Sequence, residues 1–248
     1  MNFKKGEWGN AKFTVYASYE YIGSPDDRPE VMARINYADR GFVHLDLEKL
    51  SADTIRYLVI GDSISTGCEA FPAENSFFNL FADNLKQCTG KNVIIENIAI
   101  GGENSSGGLA RFDKDVLGKN FDLISIAYGM NDHNEVAGIS CTVPLTEYED
   151  NLRKMIVMLG GKGQIILSNF CYPNDRWYHH GTKTNEYAEA VRRLGLEYRL
   201  PVSDVEMIWL NELQAGKTHK DLLMNDINHP NNYGHRLYAA AFSAILKK

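Results

Sequence analysis

Ser63 stands in the run Leu58-Val59-Ile60-Gly61-Asp62-Ser63-Ile64-Ser65, just past an apolar β-branched stretch, where a hydroxyl can be presented at the end of a strand. A serine hydroxyl is a weak nucleophile until a base takes its proton. A candidate base lies far downstream, in Asp226-Ile227-Asn228-His229-Pro230. Asp226 precedes His229 by three positions, so in a turn its carboxylate can accept from Nδ1–H and leave Nε2 to take the serine proton. Acyl transfer of this kind also needs hydrogen-bond donors where the tetrahedral oxyanion develops. The glycine amides of Asn97-Ile98-Ala99-Ile100-Gly101-Gly102-Glu103-Asn104 and the side-chain amide of Asn131 in Tyr128-Gly129-Met130-Asn131-Asp132 are groups of that type. Taken singly, each piece has a plainer use: Asp62, Ser63, Asp132 and Asp226 can cap turns or helices, and Gly101-Gly102 can turn a strand into a helix.

The elements that must position these residues decide between the two uses. Short apolar runs at 57–60, 93–98, 123–128, 165–169 and 201–205 read as strands, and apolar residues at three- and four-residue spacing predict helices over 76–87, 107–117, 145–159, 185–198 and 231–248. Such alternation predicts βαβ units with right-handed crossovers, hence a parallel sheet in a three-layer α/β/α sandwich. Ligands bind such sheets at the carboxyl ends of the strands. Every candidate above falls at one of those ends or on the loop entering the last helix. Residues 13–21, 31–37 and 42–47 read as further strands, predicting a small antiparallel β appendage over 1–52 ahead of a main domain at 53–248. The appendage suits the edge of the main sheet, a contact with a second copy in a homo-oligomer, or the remainder of a larger β-domain.

Gly61-Asp62-Ser63, Gly102 in its glycine turn, Gly129-Met130-Asn131-Asp132 and Asp226-Ile227-Asn228-His229-Pro230 together resemble, in order and spacing, the four sequence blocks of the SGNH (GDSL-type) serine hydrolases. The resemblance covers about residues 57–247. It implies a flavodoxin-like fold with a five-stranded, mainly parallel sheet. It also implies Ser63 as nucleophile, His229 as base, Asp226 as the acid orienting His229, and an oxyanion hole made of the Ser63 amide, the Gly102 amide and the Asn131 side chain. Ile64 stands where leucine is frequent and Gly101 where serine is often found, which leaves Gly101 and Gly102 both in play as the inward amide. The implied activity is hydrolysis of small carboxylic esters through an acyl-enzyme on Ser63. Beside it stand an acyltransferase using the same acyl-enzyme and a lysophospholipase or thioesterase-type lipolytic hydrolase. A non-catalytic binding module is disfavoured because each required group is retained. With its β-rich N-terminal segment the chain looks somewhat like bacterial carbohydrate acetyl esterases, so acetylated sugars are the preferred substrates.

Asp62, Gly101, His133, Trp177 and Tyr178 are the further residues expected to line the cleft, the last two because aromatic rings after the fourth strand can flank a sugar or acyl group. His235, after Gly234, reads as a packing or capping residue of the last helix. Trp177-Tyr178-His179-His180 has no carboxylate or cysteine at ligand spacing, and Cys68, Cys88, Cys141 and Cys171 form no CxxC pair, so neither a metal nor another cofactor is expected. Acidic residues number 32 against 26 basic, a net charge of −6 that makes nucleic acid and anionic membranes poor partners. No apolar run approaches the ~18 residues of a membrane span. The lysines near the N-terminus lead into no apolar stretch, and scattered cysteines suit a reducing compartment, so a cytoplasmic, bacterial-type protein is expected.

Overall fold

The computed structural model of the chain describes residues 37, 40–135, 142–177 and 183–246. Five strands, β1 (Thr54–Gly61), β2 (Asn92–Asn97), β3 (Leu123–Ala127), β4 (Gln164–Ser168) and β5 (Val202–Ser203), pair in parallel in the order β2-β1-β3-β4-β5. Ile55 and Tyr57 through Ile60 of β1 are wholly buried, the continuous apolar run that a strand covered on both faces requires. The chain leaves β1 to build β2 on one side, then crosses back to place β3 on the other. The order therefore reverses at β1, and the crevice beyond the carboxyl ends of β1 and its two neighbours is where such a sheet binds ligands.

Two packed groups of helices flank the sheet. α1 (Phe77–Thr89), α5 (Val205–Gln214) and α7 (Asn232–Ala244) form one, with the short α6 (His219–Leu222) against α7; α2 (Ser105–Phe112), α3 (Leu145–Leu159) and α4 (Thr184–Tyr198) form the other. α3 shows why the helical stretches were legible. Tyr148, Leu152, Met155, Ile156 and Leu159 fall on one buried face, and Gly160 ends the helix in the left-handed conformation. On the other face of the sheet Phe77 and Phe81 of α1 meet Phe242 of α7 with ring centroids 5.0 and 5.3 Å apart. This contact anchors the last helix, and the His229 loop that feeds it, to the element following the Ser63 loop.

The observed elements follow the predicted ones closely, α3 at both ends. β5 is only two residues long, and α5, which was not foreseen, starts directly after it. The run at 42–47 makes a single parallel bridge, Leu45 to Leu246, before a 3₁₀ turn at Leu47–Lys49. The strands expected at 13–21 and, but for Tyr37, at 31–37 lie outside the described residues. Among the described residues no helix is long and apolar enough to cross a membrane.

Candidate active site

Gly61 closes β1 where only a glycine fits. A Cβ there would stand 2.5 Å from the Ala127 carbonyl oxygen and 2.4 Å from Ser65 Oγ. Beyond it the chain coils tightly: the Ile64 amide donates to Asp62 Oδ1 (2.9 Å), Thr66 N–H to the Asp62 carbonyl (3.0 Å) and Cys68 N–H to the Ser63 carbonyl (3.2 Å). Asp62 thus shapes the turn. It is 3% exposed and does not line the cleft as expected. Burial pushes its carboxyl up to about 7, against the Ile64 amide, which favours the charged form. Ser63, half-buried at the head of the turn, holds its Oγ 3.0 Å from Nε2 of His229.

His229 is carried by a closed loop. Leu223 bridges to Pro230, Met224 N–H donates to the His229 carbonyl (2.9 Å), and Oδ1 of Asn225 accepts from the amides of Ile227, Asn228 and His229 at 2.9–3.0 Å. One side chain therefore organises the whole turn, a role the sequence pattern did not signal. Asp226 sits in this turn at φ 56°. Asn174 Nδ2 donates to its Oδ1 (3.0 Å), and Arg176 lies 3.6 Å from Oδ2. The expected contact between Asp226 and the ring is not made. Nδ1 of His229 instead faces Cys68 Sγ at 3.5 Å and Glu69 Oε1 at 3.9 Å. Glu69, at φ 67°, folds its side chain back to the ring; nothing in the residue pattern signals this, because the approach depends on a left-handed non-glycine residue. Burial lowers the His229 pKa below the ordinary imidazole value, opposed by the charge of Glu69. The ring is accordingly held in its neutral form at pH 7, as a general base must be.

Gly102 at φ 77° turns the chain after β2, with open space where a Cβ would stand. A Cβ on Gly101 would come within 3.9 Å of Ser63 Cβ, which places Gly101 beside the nucleophile. Among the described residues no protein acceptor engages the amides of Ser63, Gly101 or Gly102. Asn131 Nδ2 donates one hydrogen to the Glu103 carbonyl (3.0 Å), leaving its second for an oxyanion. Glu103 is itself fixed: Arg111 grips its carboxylate through two bonds (2.7 and 2.6 Å), and Tyr128 O–H donates at 2.7 Å. Asp132, buried in the loop after β3, accepts from Ser105 N–H at the start of α2 (2.9 Å), and burial pushes its carboxyl up to about 6. Gly101 thus stands beside Ser63, and Asn131 is braced through the Glu103 carbonyl. Asn131→Ala is expected to lower kcat by about 10²–10³-fold with little change in KM, as loss of a donor used only in the transition state does; steady-state kinetics on p-nitrophenyl acetate measure both.

Residues 59–237 match the model of the GDSL-like Lipase/Acylhydrolase family. The chain belongs to this family. It is an ester-hydrolysing enzyme. No curated protein matches it. Among solved structures it is similar to Axe2, an acetylxylan esterase from Geobacillus stearothermophilus, at 23% identity and a TM-score of 0.67, covering 78% of this chain and 95% of that one. It is also similar to LAE5, an alpha/beta hydrolase enzyme from the metagenome of Lake Arreo, Spain, at 21% identity and a TM-score of 0.66, covering 78% and 97%. At these identities the likeness establishes a shared fold.

In this GDSL-like hydrolase the remaining cleft candidates divide. Gly101 is exposed beside Ser63. His133 is fully buried, stacked on Phe170 (5.1 Å) and edge-on to Trp177 (6.2 Å), so it backs the wall rather than lining it. Trp177 is half-buried against the core, and Tyr178 lies outside the described residues. His235 does more than pack. Phe77 N–H donates to its Nδ1 (3.4 Å), so the ring proton sits on Nε2 and is donated to the Cys68 carbonyl (3.0 Å). Burial pushes its pKa down to about 4, keeping that tautomer neutral. Helix α7 of the GDSL-like hydrolase thereby holds the nucleophile loop through His235, and Asn232 Oδ1 accepts from Phe71 N–H (2.9 Å).

Proposed function

We propose that the chain is a serine esterase that hydrolyses small carboxylic esters, O-acetyl groups on sugars foremost, through an acyl-enzyme on Ser63. The observation that carries this reading is the 3.0 Å contact between Ser63 Oγ and Nε2 of His229, whose burial favours the neutral ring. As Oγ bonds to the ester carbon, its proton passes to Nε2, and the carbonyl oxygen becomes the oxyanion taken up by Ser63 N–H, the glycine turn and Asn131. Collapse breaks the bond to the alcohol oxygen, which leaves with the proton from His229. Water then repeats the sequence against the acyl-enzyme, with His229 again the base, and the acid departs. The acetyl preference draws support from the likeness to Axe2, described as an acetylxylan esterase. Two measurements test the reading: labelling of Ser63 by a fluorophosphonate probe, and release of acetate from acetylated xylo-oligosaccharides alongside p-nitrophenyl esters of increasing acyl length. No label on Ser63 sinks the mechanism; faster turnover of long acyl chains than of acetyl sinks the substrate class.

For the acid behind His229, the geometry supports Glu69, the carboxylate nearest Nδ1. A second reading has a specific observation behind it. Mutants of Axe2 described as catalytic replace a serine, a histidine and an aspartate three positions before that histidine, the spacing of Asp226 and His229. Asp226 reaches the ring only by leaving Asn174 and Arg176. An orienting acid bonded directly to the ring is worth about 10⁴ in rate, so at this longer distance Glu69→Gln should cost on the order of 100-fold in kcat/KM. Because Glu69 raises the His229 pKa, its removal also moves the acid limb of the pH profile further down. Asp226→Asn should leave the limb in place and cost about tenfold or less. The reverse ordering assigns the role to Asp226.

A further inference from the structure

We propose that Cys68, Glu69 and His229 form a binding site for a thiophilic divalent cation, zinc above all, whose occupancy switches the hydrolase off. The regulatory half of this inference rests on the esterase reading above; the site itself does not. Sγ of Cys68 lies 3.5 Å from Nδ1 of His229, Nδ1 lies 3.9 Å from Oε1 of Glu69, and the three ligand atoms all fall within 4.8 Å of one another. Around a tetrahedral zinc ion, with sulfur at about 2.3 Å and nitrogen or oxygen at about 2.0 Å, the sulfur-to-nitrogen edge measures roughly 3.5 Å and the nitrogen-to-oxygen edge roughly 3.3 Å. The sulfur-to-nitrogen edge is already at length; the nitrogen-to-oxygen edge must close by about half an ångström, and the sulfur-to-oxygen edge, within 4.8 Å, must come to roughly 3.5 Å, movements open to the end of a flexible glutamate. The donor set also selects the ion: thiolate with imidazole favours zinc and cadmium over calcium or magnesium.

Two features pre-set the arrangement. Side chains of consecutive residues in extended backbone point to opposite sides, but Glu69 at φ 67° returns its carboxylate to the side of Cys68. Cys68 is pinned at both ends, its amide donating to the Ser63 carbonyl and its carbonyl accepting from His235 Nε2. The side chains of His229 and Glu69 are 21% and 33% exposed, so an ion can enter from solvent and keep a water in its fourth position. Binding releases the Cys68 thiol proton to solvent and engages the lone pair of Nδ1. The imidazole proton then resides on Nε2, the atom that faces Ser63 Oγ. Nε2 can no longer accept the serine proton, and attack stops until the ion leaves.

The test uses two readouts on the full chain. Cadmium titration should produce a sulfur-to-metal charge-transfer band in the ultraviolet that Cys68→Ala loses and Cys88→Ala, at an exposed cysteine, retains. Zinc should inhibit p-nitrophenyl acetate hydrolysis reversibly, with full recovery on EDTA. The half-inhibitory concentration should rise at least about tenfold in Cys68→Ala and Glu69→Gln, the loss expected for one ligand of a small site, each variant being compared with its own metal-free rate. Cys68→Ser, which keeps the residue's size, serves should the alanine variant not fold. An unchanged half-inhibitory concentration in both Cys68 variants overturns the proposal, as does a cadmium band that survives them. A band present in a wild type that hydrolyses no ester overturns the esterase reading and leaves the cation site standing.

Discussion

Ser63→Ala and His229→Ala are each expected to reduce kcat/KM for p-nitrophenyl acetate by about 10⁴-fold or more, and the double variant should be no slower than either single one. The reason is that the two side chains act as a unit. Without Nε2 at 3.0 Å the hydroxyl keeps its proton, and without Oγ the imidazole has no nucleophile to activate. The rate that survives should reflect the proposed oxyanion donors, among which Asn131 is braced by Glu103 and Arg111 rather than by the deleted groups. Adding Asn131→Ala to Ser63→Ala should therefore lower the remainder further. Multiplicative losses in the Ser63/His229 double variant would mean that the two residues work independently, and the mechanism would fall. In the wild type, the acid limb of kcat/KM should lie below the ordinary imidazole value, since burial lowers the pKa of His229. As pH falls through that pKa, Nε2 takes a proton from solvent and activity disappears.

How far the sequence carried this picture depends on how local each cause is. β1, β3 and β4 were legible because buried parallel strands are unbroken apolar runs, and α3 because its buried face recurs every three to four residues. β5 and α5 were not separable: Val202-Ser203 passes into Val205–Gln214 with no glycine or proline between them, so the helix's first apolar residue read as the end of a strand. Ser63, the glycine turn and Asn131 each sit where a strand ends and His229 on the loop entering the last helix, and the fold brings Ser63 and His229 together. Their supports were not. Glu69 approaches the ring through a left-handed backbone, and Asn225 gathers three amides with one oxygen; both are consequences of loop conformation. Asp226 shows the same limit from the other side. Its spacing from His229 is compatible with a triad, yet in its positive-φ turn the carboxylate accepts from Asn174.

Arg192→Met should cost the fold more stability than any of the active-site substitutions, with catalysis per folded molecule unaffected. Arg192 of α4 has a side chain only 6% exposed and binds Asp204 through two bonds (3.0 and 2.6 Å) and Glu206 through one (2.8 Å), with Glu189 on its outer side (2.7 Å). Asn169, just beyond β4, joins the network by donating to Asp204 (2.7 Å) and accepting from the Glu206 amide (3.0 Å). Methionine keeps the volume and removes the charge, leaving two carboxylates in a site built around a cation. Breaking a buried ion pair by deleting one partner costs about 3–5 kcal/mol, which for a chain of this size lowers Tm by roughly 10 °C. The sign of the pH dependence follows from Glu206, whose carboxyl burial already pushes up to about 7 although Arg192 opposes it. A carboxyl with a raised folded-state pKa binds more protons folded than unfolded, so lower pH favours the fold. Without Arg192 this effect grows, and the deficit of the variant should shrink as pH falls from about 7.5 toward about 5. Thermal melts of both proteins across that range decide the matter. A loss below about 1 kcal/mol, well under the range for a broken buried pair, or a deficit that widens on acidification, would show that the pair contributes nothing to holding α4, β5 and α5 together.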